Sequence, residues 1–216
     1  MYKACIFDLD GTLTDTLESL TYSINGTLSE LGLKNITSDQ CRRFVGDGAK
    51  MLVKRALEAS GDPKLQHLEE AVAVYGRIFA ENCTYLVKPY DGITEMINEL
   101  KKKNIKIAVF SNKPHNQTVD VVETIFGKGI FDHIQGQKEG VPRKPDPAGI
   151  FQILKEFHTD ISEGLYIGDS DVDMKTGKAA GIKTIGVNWG FRTKQILIDS
   201  GADVTIDHAE ELLKLI

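Results

Sequence analysis

The sequence predicts an α/β protein, a doubly wound parallel-sheet core with an α-helical cap domain inserted after its first strand. Three observations point there. The chain opens on an apolar run, "ACIF" at 4–7; residues 14 to 83 carry helical periodicity throughout; and from Asp91 onward short apolar runs alternate with helical segments. Alternating strands and helices build a parallel sheet covered on both faces, whose strands read as continuous apolar runs. The expected division is a core of residues 1–13 and 84–216 around a cap of residues 14–83. A chain of 216 residues has room for one core and a small insert, but is cramped for two unrelated domains.

"ACIF" supplies the first strand. After Asp15, Leu17, Leu20, Ile24, Leu28 and Leu31 recur at spacings of three and four, a helix ending near Gly32. Ser38 is expected to cap a short helix through Val45; Gly46-Asp47-Gly48 interrupts it, and Met51, Leu52, Arg55 and Ala56 resume the spacing up to Gly61-Asp62-Pro63. A further helix from Leu65 presents Leu68, Val72, Tyr75 and Phe79. In the second half, Ile93, Met96, Ile97 and Leu100 mark a helix and "IKIAVF" at 105–110 a strand. "HIQG" at 133–136, "LYI" at 165–167, "TIGV" at 184–187 and "VTI" at 204–206 supply the remaining strands.

Composition narrows the function classes. Apolar residues at 41% and charged ones at 26% exclude a disordered or fibrous chain. A net charge of −5 leaves no broad basic surface for nucleic acid or anionic lipid, so the expected partner is a small molecule, with no nucleic acid and no membrane. Cys5, Cys41 and Cys83 are far apart, odd in number and without a CxxC pair, and the five histidines are scattered, so neither a disulfide framework nor a zinc site is indicated. Lys3 and short apolar runs before Asp8 do not read as a signal peptide or an anchor, and the expected location is cytoplasmic. A monomer and a homodimer are both compatible with the sequence.

In open parallel sheets ligands bind beyond the carboxyl ends of the strands. "ACIF" leads to Asp8 and Asp10, "KIAVF" to Ser111, Asn112 and Lys113, and "LYI" to Gly168, Asp169, Ser170 and then Asp173, while Lys144 lies in "RKPDP" before a helix. Taken singly, each has a plainer reading. Asp10-Gly11 can be a turn, Ser111-Asn112 a helix start, Lys144 a solvated side chain, and "GDSDVD" a turn feeding acids into a helix N-terminus. Together they read differently, because Asp8, Asp10, Asp169 and Asp173 gathered at one sheet edge would repel one another unless a cation sat among them. Oxygen ligands indicate a hard ion, Mg²⁺, shared with the oxygens of a phosphate. Four aspartates set against Mg²⁺ and Lys144 leave one negative charge, which a proton on Asp10 cancels; that proton also suits a departing alkoxide. Ser111 and amides near Gly11 add hydrogen bonds to phosphate oxygens.

Asp-x-Asp-Gly-Thr after a strand, then a serine, a lysine and Gly-Asp-Ser with a further aspartate, resemble the ordered motifs of the haloacid dehalogenase superfamily of phosphotransferases, whose core is Rossmann-like. "FDLDGTL" at 7–13 matches the first motif, Ser111 the second, Lys144 the third, and Asp169 with Asp173 the fourth, in shape though not in strict spacing. The resemblance implies that Asp8 attacks phosphorus to form an aspartyl phosphate and that Asp10 protonates the leaving oxygen, then deprotonates water. It also implies that Asp8, the Asp10 carbonyl and Asp169 hold Mg²⁺ with Asp173 in support, while Lys144 and Ser111 neutralise and position the phosphoryl group.

"FSNKP" at 110–114, the loop "VGDGA" at 45–49 and "VNWG" at 187–190 resemble the phosphoglycolate phosphatase-like subfamily, which implies a small phosphorylated metabolite as substrate. In the cap loop, Gly46 and Gly48 permit close backbone approach, and Lys50 or Arg43 is a candidate to meet a second anionic group beside Asn112 and Gly11. The plainer reading is a helix break carrying surface cations. A β-phosphoglucomutase-like mutase and an inorganic pyrophosphatase of the same superfamily are the rival enzymes, and the mutase's fourth motif begins Glu-Asp where this chain has Gly168-Asp169. A receiver-like phospho-acceptor module is the rival from another class. Asp10, an acid two residues after the acceptor, and the helical insert both argue against it.

Overall fold

The computed structural model describes residues 2–216. Met1, the first residue of the expected core segment 1–13, lies outside them. Nine α-helices and eight strands are formed among the described residues, beginning with β1 (Ala4–Phe7), β2 (Thr14–Asp15), α1 (Leu17–Glu30), α2 (Ser38–Phe44), α3 (Ala49–Ser60), α4 (Leu68–Asn82) and β3 (Lys88–Pro89). The alternating part follows as α5 (Ile93–Lys102), β4 (Lys106–Pro114), α6 (His115–Phe126), β5 (His133–Gln137), α7 (Ala148–Glu156), β6 (Gly164–Gly168), α8 (Asp171–Ala180), β7 (Lys183–Val187), α9 (Lys194–Asp199) and β8 (Val204–Ile206). Among the described residues no helix is long and apolar enough to cross a membrane.

The sheet is parallel throughout in the order β5-β4-β1-β6-β7-β8. β1 is apolar along its whole length because both faces are covered. Cys5 and Phe7 join one core cluster with Ile107, Val109, Leu165 and Ile167, while Ala4 and Ile6 join another with Ile150, Ile153 and Tyr166. The chain leaves β1 toward β4 on one side and reaches β6 on the other, which makes the end of β1 the switch point of the sheet. Phe7 is level with Val109 of β4 and Ile167 of β6, so Asp8, Phe110-Ser111 and Gly168-Asp169 emerge side by side.

Along the chain, the helices α1–α4 come between β1 and the other strands of the sheet, and β2 pairs antiparallel with β3 where the chain leaves and returns. The α1 stripe buries Leu17, Leu20, Ile24 and Leu28 as the spacing requires, and α4 turns Ala71, Tyr75 and Phe79 inward, one per turn. Two expected starts move. Thr37, one residue before Ser38, caps α2: its hydroxyl accepts from the Gln40 backbone N–H at 3.2 Å while the Gln40 side chain accepts from the Thr37 N–H at 2.9 Å. The helix expected from Leu65 begins at Leu68, because Leu65 has φ +56° and the Asp62 carboxylate ties down the Gln66 and His67 backbone N–H groups, both at 2.9 Å.

Candidate active site

Asp8 and Lys144 form the centre. Lys144 comes in from the loop before α7 with Nζ 2.7 Å from Asp173 Oδ1 and 2.8 Å from Asp8 Oδ1, its side chain only 2% exposed. The contact to Asp8 satisfies distance but not direction, so Asp8 Oδ1 lacks a well-aligned hydrogen bond. Burial works against the Lys144 ammonium, but Asp173 and Asp8 outweigh it and raise its pKa. Burial pushes the Asp8 carboxyl up to about 7; Asp173 adds to the push and Lys144 opposes it. Asp169 is driven well above the carboxylate range by burial and by Asp173 and Asp8, against the hydrogen bond from the Phe191 N–H.

Oxygens of Asp8, Asp169 and Asp173 lie within 4.8 Å of one another. Three buried carboxylates and an underbonded oxygen at that distance fit a hard divalent cation. Their free lone pairs are not equal. Asp173 accepts at Oδ1 from Lys144 Nζ and the Tyr166 hydroxyl, at 2.8 Å, and at Oδ2 from the Ser170 N–H, 3.1 Å, and hydroxyl, 2.6 Å. Four donors exhaust a carboxylate, so Asp173 stands behind Lys144 as its support. It is also the third residue of α8 in a capping box with Ser170, so the helix start that explained it as mere punctuation is what aims it. Asp169 accepts one donor at each oxygen, the Thr12 hydroxyl at 3.2 Å and the Phe191 N–H at 2.7 Å, which leaves a lone pair on each.

Asp10 turns away from this group. Its Oδ1 lies 3.0 Å from Lys113 Nζ, a pair almost closed to water. Lys113 is a second buried cation at this edge of the sheet, and it faces Asp10 as Lys144 faces Asp8. Lys113 also sits under the Phe79 ring of α4, 4.6 Å from its centroid. The sequence places Lys113 after the strand with Ser111 and Asn112 but gives it no role, and β4 runs on through Pro114. In an extended chain Ser111 and Lys113 share a face, and that period of two is the signal that finds it.

The remaining expected residues fall into three places. Ser111, Asn112 and Gly46 line the cavity with Asp8, Asp10, Lys144 and Asp169, under apolar side chains from the helices that include Leu20, Val45, Leu52, Tyr75 and Phe79. Asn112 is engaged as a clasp: its Oδ1 accepts from the Lys144 N–H at 2.9 Å, and its Nδ2 donates to the Lys144 and Gly46 carbonyls at 3.1 and 3.2 Å. Gly11 bends the chain at φ +87°, where a β-carbon would run into the Asp169 carboxylate, and its N–H donates to the Thr14 carbonyl at 2.9 Å, which takes that amide from any phosphate. Arg43 and Lys50 are exposed and line no part of the cavity. The cavity's third cation, Arg192, reaches it from the loop after β7 and was not foreseen.

The sequence pattern of haloacid dehalogenase-like hydrolases matches residues 5–187. The protein named phosphoglycolate phosphatase from Aquifex aeolicus is 32% identical over 213 residues, 99% of this chain and 96% of its own. One of the same name from Pseudomonas syringae pv. tomato is 30% identical over 216 residues, 98% of this chain and 78% of its own. A crystal structure from Lactobacillus delbrueckii subsp. bulgaricus, provisionally named phosphoglycolate phosphatase, superposes with a TM-score of 0.91 at 33% identity, covering 100% of this chain and 98% of that one.

Proposed function

The chain belongs to the haloacid dehalogenase-like hydrolase family, and from that premise we propose that it is a Mg²⁺-dependent phosphatase that hydrolyses a small phosphate monoester, 2-phosphoglycolate above others, through an aspartyl phosphate on Asp8. The observation that carries this reading is the separation of the two aspartates. Asp8 sits at the switch point beside Lys144 and Asp169, and Asp10, two residues on, is held apart by Lys113.

An oxygen of Asp8 attacks phosphorus and the bond to the leaving oxygen breaks. Asp10, anchored through Oδ1 by Lys113, has Oδ2 left to give that oxygen a proton and later to take one from the water that hydrolyses the acyl phosphate. Lys144 and Ser111 hold the phosphoryl oxygens, in keeping with a reaction whose catalysis is mostly positioning and charge stabilisation. Asp8 and Asp169, with the Asp10 carbonyl, are the residues that would hold Mg²⁺, which when bound neutralises charge on the phosphoryl group. Residues 14–83 serve as the cap, and the β2–β3 ribbon just outside α1 and α4 is its hinge.

The cavity is about 50 Å³ under apolar cap side chains, and the name shared by the relatives that match nearly the whole chain supports 2-phosphoglycolate over a sugar phosphate. Purified protein is assayed with Mg²⁺ on 2-phosphoglycolate, pyrophosphate and glucose phosphates, with EDTA and Asp8→Asn controls. Preference for 2-phosphoglycolate, lost in both controls, is expected; activity surviving Asp8→Asn sinks the nucleophile, and equal rates on all three substrates sink the selectivity.

A further inference from the structure

One cap loop, from Arg42 to Asp47, is gripped by the core through its carbonyl oxygens. Arg192 donates from Nη1 to the Arg42 carbonyl at 2.9 Å and from Nη2 to the Val45 carbonyl, Asn112 donates to Gly46 at 3.2 Å, and Arg143 to Asp47 at 3.3 Å. Each donor is the chain neighbour of a site residue. Asn112 follows Ser111, Arg143 precedes Lys144, and Arg192 follows Phe191, whose N–H is bonded to Asp169. The cap loop thus touches the end of β4, the loop before α7 and the loop after β7 at once.

Arg192 makes the strongest of these contacts. The carbonyls of Arg42 and Val45 lie beyond the last internal bond of α2, from the Val45 N–H to Cys41, and so have no helical partner. A guanidinium fork spans two such oxygens and suits the negative end of a helix; an ammonium does not span them. The side chain is 13% exposed and is steadied by Asp171, 3.6 Å from Nε. Behind it the loop is fixed to the core, for the Trp189 indole N–H donates to the Thr12 carbonyl at 3.0 Å, and a β-carbon on Gly190 would strike Asp169.

We propose that Arg192 is a positioning residue that latches the cap loop onto the core and so sets the fraction of molecules closed over the site. The latch rests on the reading of this chain as a capped phosphatase, but it acts through protein contacts alone and is measurable without substrate.

Cys5, Cys41 and Cys83 are buried, so dyes can be directed to thiols introduced by Glu58→Cys on α3 of the cap and Lys155→Cys on α7 of the core, both exposed positions. Single-molecule energy transfer then counts closed and open molecules. In Arg192→Ala and in Arg192→Lys the closed-to-open ratio is expected to fall about tenfold or more, the loss of two charge-assisted hydrogen bonds, and the KM for 2-phosphoglycolate to rise with a smaller change in kcat. An unchanged ratio in either variant, or a loss of folding cooperativity in place of a change in ratio, overturns the latch. If the unaltered protein fails to hydrolyse 2-phosphoglycolate, the substrate reading falls while the energy-transfer result still decides the latch.

Discussion

Replacing Lys144 by methionine removes the one ammonium that faces both Asp8 and Asp173 and keeps most of the volume. Asp173 retains its three donors from Tyr166 and Ser170, so losing its bond from Lys144 costs about 2 kcal/mol. Asp8 has no such reserve. Its carboxyl ionises at 3.8 in the unfolded chain and at about 7 in the folded one. Between those values the folded state holds the extra proton, so the metal-free protein loses stability as pH rises, and the loss levels off above about 7. Without Lys144 the folded pKa of Asp8 climbs further and the loss continues, at about 1.4 kcal/mol per pH unit. The gap between Lys144→Met and the unaltered protein should therefore widen from about 2 kcal/mol at pH 6 to about 4 at pH 8.5, within the range for breaking a buried pair. Urea unfolding in the presence of a chelator measures it at the two pH values, and adding Asp8→Asn should erase the pH-dependent part. A gap that is the same at both pH values, or that survives Asp8→Asn, refutes the reasoning.

Four further outcomes are expected. Asp8→Asn should lower kcat at least about 10⁴-fold with the fold intact by circular dichroism. Mg²⁺ should raise the melting temperature more at pH 8 than at pH 6, because at the lower pH it must displace the proton that Asp8 holds; an equal rise at both would contradict the assignment. Gly11→Ala, with φ +87° and Asp169 in the way, should cost about 1–3 kcal/mol in unfolding free energy. Lys113→Met should cut kcat/KM about 100-fold, as expected for a lost charged hydrogen bond, and rates near those of the unaltered protein would remove Lys113 from the site.

Much of this protein could be read along the chain. The apolar runs become β1 and β4–β8, the three- and four-residue spacings become α1–α4, and Asp8, Ser111, Lys144 and Asp169 meet at the carboxyl edge of the sheet. Those features depend on local periodicity and on the rule that parallel strands present their carboxyl ends together, which holds whatever packs above them. The pairings above the sheet were decided only in three dimensions. Lys113 reaches Asp10 because β4 runs four residues past the apolar run, Arg192 rather than Arg43 or Lys50 lines the cavity, and the Gly11 amide is consumed by its own turn. A charged side chain looks the same in sequence whether it is solvated or buried, and its partner is chosen by where distant segments pack. The sequence by itself determined the chemistry available at the edge of the sheet; the tertiary structure determined which ammonium faces which carboxylate, because that depends on distances no local pattern encodes.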